Sequence, residues 1–129
     1  PYANPFRVYP LSMDYDRFKH LIEDGVDCYI LNTGEFMGNK VKKEHTLGII
    51  EAIVEGSAKF HKWGNLDDIQ IMDIEGFDAS FDNKEYAEQF KARMQDRIAF
   101  VKSRETEKNG IDKLPADALE ALERVVKQA

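Results

Sequence analysis

Apolar positions along the chain recur first at helical spacing. Phe18, Leu21 and Ile22 share one face of a segment that Ser12 or Asp14 can cap and Gly25 can end, which predicts a helix from Met13 to Asp24. The pattern then changes. Val26-Asp27-Cys28-Tyr29-Ile30-Leu31 is short, apolar and β-branched, and it ends at Asn32-Thr33-Gly34, so it reads as a buried strand delivering a polar turn. From Glu35 to His45 the chain is mostly charged, with Gly38 inside it and neither periodicity, and is expected to be a loop.

Helical spacing returns after Thr46, the expected N-cap of a helix carrying Leu47, Ile49, Ile50, Ile53 and Val54 and stopped at Gly56-Ser57. Between Lys59 and Asp82 the signal weakens. Ile69 to Ile74 partly alternates like a strand, and Trp63, Phe60 and Phe77 read as a small core beside six acidic residues. Tyr86, Phe90, Met94, Ile98 and Val101 then mark a long amphipathic helix from about Asn83, with Asp82 and Glu85 as a capping box. Asn109-Gly110 marks a turn, and Pro115 opens a last helix carrying Ala118, Leu119, Leu122, Val125 and Val126. Without internal repeats or flexible linkers, the elements amount to an α+β, helix-rich single domain with a few short strands.

Composition narrows what such a domain does. Its 129 residues are 43% hydrophobic and 33% charged, long enough for a core and too polar to span a bilayer. Eighteen Lys and Arg against twenty-four Asp and Glu leave a charge of −6, which opposes binding to nucleic acid through its phosphates. The opening Pro1-Tyr2-Ala3-Asn4-Pro5 has no signal-peptide pattern, and the missing initiator Met reads as a piece cut from a longer protein. One cysteine, Cys28, excludes an internal disulfide and suits the cytoplasm; within its apolar run it is expected to be a buried structural thiol. His20, His45 and His61 lack zinc-site spacing. Asp67, Asp68, Asp73, Glu75, Asp78 and Asp82 lack a calcium-loop pattern and read as a solvated acidic face.

The segment joining strand to helix carries the best candidate chemistry. Gly34 to Lys40 has the glycine-to-lysine offset of a phosphate-cradling loop, but Asn39 replaces its second glycine and Val41 its magnesium-holding hydroxyl. Each residue here also has a purely structural role. Thr46 can cap a helix, Lys40, Lys42 and Lys43 can face solvent, Asn32 and Thr33 can brace a turn, and Gly34 can supply unusual dihedrals.

Asn4-Pro5-Phe6, a helix, Tyr29-Ile30-Leu31-Asn32-Thr33-Gly34, Gly38-Asn39-Lys40-Val41, Thr46, and Ile49-Ile50-Glu51-Ala52-Ile53-Val54-Glu55-Gly56 follow in order. In this order and spacing, over residues 4–57, the chain resembles the C-terminal part of ATP-dependent phosphoenolpyruvate carboxykinase. The resemblance implies a carboxykinase-like lobe over residues 1–103, with a turn and final helix over 104–129 packed on it. It further implies that Lys40, Val41 and Thr46 lie near the adenine and ribose, beside Asn32, Thr33 and Gly34. The cofactor is then ATP with Mg2+ or Mn2+, and the parent reaction converts oxaloacetate and ATP to phosphoenolpyruvate, ADP and carbon dioxide. The family's P-loop, metal-holding residues and oxaloacetate-binding arginine precede this lobe, so the lobe supplies nucleotide contacts and no catalytic or metal residue, and it is not active alone. Nucleotide and a small carboxylate are the implied partners, with no membrane.

Two positions depart from the family. Glu35 stands in place of tryptophan and Lys40 in place of arginine, which keeps the charge but loses the planar fork. With Asn39, these changes motivate an alternative reading: a non-catalytic scaffold or interaction domain that retains the lobe.

Overall fold

The computed structural model describes residues 6–129, so Asn4 and Pro5 of the resemblance, and the opening pentapeptide as a whole, lie outside the described residues. The chain is helix-rich α+β. In order come α1 (Leu11–Glu23), the hairpin β1 (Glu35–Phe36) and β2 (Asn39–Lys40), α2 (Lys43–Val54), the hairpin β3 (His61–Lys62) and β4 (Gln70–Ile71), α3 (Lys84–Ser103) and α4 (Ala116–Gln128). Both sheets are two-stranded and antiparallel. Among the described residues no helix is long and apolar enough to cross a membrane.

The helix stops follow the glycines. After α1, Gly25 N–H donates to Ile22 O at 3.0 Å and Val26 N–H to Leu21 O at 3.0 Å; after α2, Gly56 and Ser57 donate in the same way to Ile53 and Ala52. These paired bonds close both ends as Schellman motifs, with the two glycines at φ +85° and +71°. The helix starts differ from expectation. α1 begins at Leu11 after Pro10, with no side-chain cap from Ser12 or Asp14. α2 begins three residues before Thr46, because the His45 ring accepts the Lys42 N–H at 3.3 Å and takes over the capping role, which leaves Thr46 inside the first turns. At α3 the cap is Asn83, whose Oδ1 accepts the Tyr86 N–H at 3.2 Å, in place of Asp82.

Contacts gather the described residues into two units, one formed by Tyr29–Phe90 with Gln128–Ala129, the other by residues 6–28 with Lys91–Lys127. The first is organised by aromatic rings. Trp63 stacks on Phe81 at 5.2 Å and meets Phe90 edge-on at 5.3 Å, and its indole N–H donates to Ala79 O at 2.8 Å. Tyr86 extends this set to Phe36, at 5.4 Å, and Phe36 extends it to Phe77 at 5.7 Å. Burial pushes the Tyr86 phenol up to about 12, so it stays neutral at physiological pH. Leu66, 1% exposed, is the most buried residue of this unit. Phe60, expected beside Trp63, instead meets Tyr29 at 5.6 Å.

The second unit is tied by polar contacts between its helices. Lys19 of α1 pairs with Asp117 of α4 at 3.1 Å, Lys102 of α3 with Glu123 of α4 at 3.2 Å, and Leu11 N–H donates to Ile111 O at 2.8 Å. The Arg7 guanidinium forms a buried ion pair with Asp112. Met94 of α3 is its buried apolar residue.

The expected strand over 26–31 is absent. Residues 27–33 make no backbone–backbone hydrogen bond with another described residue, Ile30 is fully exposed, and the Cys28 thiol is exposed rather than buried. An apolar, β-branched run becomes a buried strand only when neighbouring strands accept its ladder, and none of the four described strands does so. The same holds for part of α2, where Leu47, Ile50 and Val54 line up on one face and are all exposed.

Candidate functional site

The stretch read as a loop is a tight hairpin. Glu35 pairs with Lys40 and Phe36 with Asn39, so Met37 and Gly38 form a two-residue turn with φ +47° and +81°. Both central residues of such a turn need the left-handed region, which Gly38 enters without strain and Met37 does not. The next rung is Gly34 with Val41, whose N–H donates to Gly34 O at 2.9 Å. Gly34 itself has no left-handed φ, so the unusual dihedrals expected there belong to Gly38.

The hairpin changes what the backbone can offer a phosphate. Antiparallel pairing engages the amides of Phe36, Asn39 and Val41 within the ladder and turns those of Glu35 and Lys40 outward. A converging nest of amides is therefore not formed, because the donors of this segment alternate in direction. The Asn32 side chain holds the corner: its Nδ2 donates to Glu35 O at 3.0 Å and its Oδ1 accepts the Gly34 N–H at 3.0 Å. That is the turn-bracing role expected of it.

Five of the six residues named by the resemblance thus sit on one corner and hairpin: Asn32, Thr33, Gly34, Lys40 and Val41. Thr46 follows on α2, half-buried. Lys40 is exposed and no carboxylate of a described residue lies within ion-pair distance of it, so its ammonium is available to an anion arriving from solvent. Val41 beside it is half-buried.

The same unit holds a cavity of about 370 Å3 lined by Ser57, Lys59, Phe60, His61, Met72 and Asp73, and by none of those six residues. His61 Nε2 lies 3.0 Å from Asp73 Oδ1, and Nδ1 lies 3.0 Å from the Lys62 carbonyl oxygen. Both ring nitrogens face acceptors, so the ring that satisfies them is the imidazolium. The Asp73 hydrogen bond first, and the Lys62 carbonyl second, raise the His61 pKa above 6.5. Spacing rules had no way to find this pair, since the two residues are twelve apart and meet only through the β3–β4 hairpin.

A pH dependence follows. A histidine whose folded pKa is raised stabilises the fold fully below the unfolded value of 6.5, and the contribution is lost as pH rises through the folded value. The β3–β4 hairpin is expected to be tied by His61–Asp73 while the ring is protonated and the carboxylate ionised, and to loosen as pH rises through the raised His61 pKa, with high salt weakening the effect because both side chains face water. In a proton NMR titration the His61 ring should show a midpoint above 6.5 that falls back toward it in Asp73→Asn; equal midpoints in the two proteins would mean that the carboxylate does not hold the ring.

No group of three His, Cys, Asp or Glu side chains able to hold a metal occurs among the described residues. The acidic residues from Asp67 to Asp82 are exposed, as expected of a solvated face. Comparison with family models, with curated proteins and with solved structures finds no match.

Proposed function

We propose that this chain is a nucleotide-contacting lobe of an ATP-dependent enzyme resembling phosphoenolpyruvate carboxykinase, working in the cytoplasm on oxaloacetate. The observation that carries the reading is the order of parts: a braced Asn32-Thr33-Gly34 corner, a two-residue hairpin with an ion-pair-free lysine, and a helix directly behind it. In this reading Lys40 supplies positive charge to the nucleotide while Val41 and Thr46 border the base and ribose. Positioning and charge neutralisation are what phosphoryl transfer requires of a protein. A divalent ion neutralises phosphate charge in such chemistry, and the resemblance assigns the residues that would hold it to the part of the enzyme preceding this lobe. The unpaired apolar run at 27–31 supports the same reading, since it has the composition of a strand whose sheet partners lie elsewhere in the enzyme.

The test is titration of the full-length protein with ATP and Mg2+. Saturable binding is expected, and Lys40→Ala should weaken it about 10- to 150-fold, the range of a charged hydrogen bond of about 1.5–3 kcal/mol. Lys40→Arg should retain affinity. No saturable binding by the full-length protein, or binding indifferent to Lys40→Ala, would remove the nucleotide role.

One observation favours a second reading, a non-catalytic interaction domain: Leu47, Ile50 and Val54 form an exposed apolar stripe on α2. That reading requires the stripe to be covered by a partner in a protein that binds no nucleotide, whereas the enzyme reading requires nucleotide binding.

A further inference from the structure

The unit built from α1, the later part of α3 and α4 contains a cavity of about 710 Å3, within the range of small-molecule sites. Its basic lining comes from one face of α3 and its continuation, where Arg93, Arg97 and, just past the helix end, Arg104 stand four and seven residues apart. Phe100 on that face, Leu114 and Leu122 supply apolar wall. The whole chain has only six arginines and a net charge of −6, so three in one cavity, with Arg7 bonded to the cavity's Asp112, is a marked concentration.

The arginines differ in what holds them. Arg7 and Asp112 neutralise one another, and Arg104 pairs with Glu107 through Nη1 while its guanidinium lies 4.3 Å over the Phe100 ring. Arg104 Nε is buried and has no hydrogen-bond partner. Arg93 and Arg97 have no carboxylate of a described residue within ion-pair distance; Arg97 makes only a 3.4 Å contact from Nη1 to Met94 Sδ. Asp96 is the one lining carboxylate not already neutralised, so the lining keeps a net positive charge. Guanidinium pairs match phosphate and carboxylate oxygens in geometry, and they do so beside apolar surface because guanidinium is weakly hydrated.

We infer that this cavity is a binding site for a small organic anion, with one phosphate or carboxylate group held between Arg93 and Arg97 and an apolar body against Phe100, Leu114 and Leu122. Its lining residues belong to one unit and the six residues of the proposed nucleotide contacts to the other.

The experiment is calorimetric and NMR titration of the whole chain with phenyl phosphate and with octanoate, against benzyl alcohol and octanol as uncharged counterparts. Saturable binding of at least one anion is expected, with amide shifts centred on residues 93–104 and 112–122, and the tighter of the two identifies the headgroup. Arg93→Gln with Arg97→Gln should weaken that binding at least tenfold with an unchanged melting temperature, since neither side chain holds an ion pair, and the double lysine variant should retain part of it. The inference is overturned if neither anion saturates, if the alcohols bind as tightly, or if the folded glutamine variant binds like the parent. Should that variant fail to fold, the parent's shift map decides: perturbations centred outside those residues overturn the site.

Discussion

Trp63→Ala is expected to destabilise the Tyr29–Phe90 unit by about 3 kcal/mol, the low end of the range for removing a large aromatic from a packed interior, because the indole is half-buried. Three effects combine at this position. The indole stacks on Phe81, meets Phe90 edge-on and lies 6.4 Å from Tyr86, and aromatic pairs in such geometries contribute about 0.5–1.5 kcal/mol each beyond area burial. Its N–H satisfies the Ala79 carbonyl at 2.8 Å, so truncation also leaves that acceptor unbonded. Finally, the strands of this unit are only two residues long, and such short ladders contribute little by themselves. Trp63→Phe separates the effects: it keeps a ring and loses the hydrogen bond, and should cost about 0.5–1.5 kcal/mol for that bond. Denaturant unfolding followed by circular dichroism measures both, because the protein's one tryptophan is lost in each variant. A loss below about 1 kcal/mol for Trp63→Ala would mean that the aromatic cluster does not hold this unit together.

Part of this cluster was legible in the sequence and part was not, and the difference is physical. Tyr86 and Phe90 repeat at helical spacing, so their shared face could be read locally. Phe81 precedes the helix, and its stacking on Trp63 depends on how the chain turns between them, which no short-range pattern encodes. Helix ends were legible wherever a glycine closes them, at Gly25 and Gly56, because the left-handed residue is a local requirement. The start of α2 was not, since the histidine that receives the Lys42 amide is not among the usual capping residues.

The candidate site divides along the same line. Asn32 as a turn brace followed from its chemistry. The hairpin did not, because Met37 occupies a turn position where Asn or Asp would have announced the left-handed conformation. The run from Val26 to Leu31 has a composition that suits a sheet interior, yet sheet membership is decided by strands far away in sequence. The arginines at 93, 97 and 104 were hidden for a related reason: the first two lie on the polar side of an amphipathic helix and the third just past its end, and only the approach of residues 112–122 turns that side into a cavity wall.

Separating Arg7 from Asp112 should rival the loss of Trp63. The two side chains are 4% and 10% exposed, and they join the segment before α1 to the segment before α4. Arg7 also donates through Nε to Tyr9 O at 2.7 Å and through Nη2 to Ile111 O at 3.3 Å, so the guanidinium organises backbone as well as neutralising a carboxylate. Removing one partner leaves the other as a buried charge without compensation, and Asp112→Leu or Arg7→Met is expected to cost about 3–5 kcal/mol. Removing both is a different matter. Desolvating two ions consumes most of their mutual attraction, so Arg7→Met combined with Asp112→Leu should recover most of the loss and fall within about 1.5 kcal/mol of the parent. The double-mutant cycle, read by denaturant unfolding and by amide exchange in α1 and α4, therefore has a definite shape: two severe singles and a mild double. Additive losses would show that each residue acts through its own neighbours instead of through the pair, and two mild singles would show that water screens the contact after all.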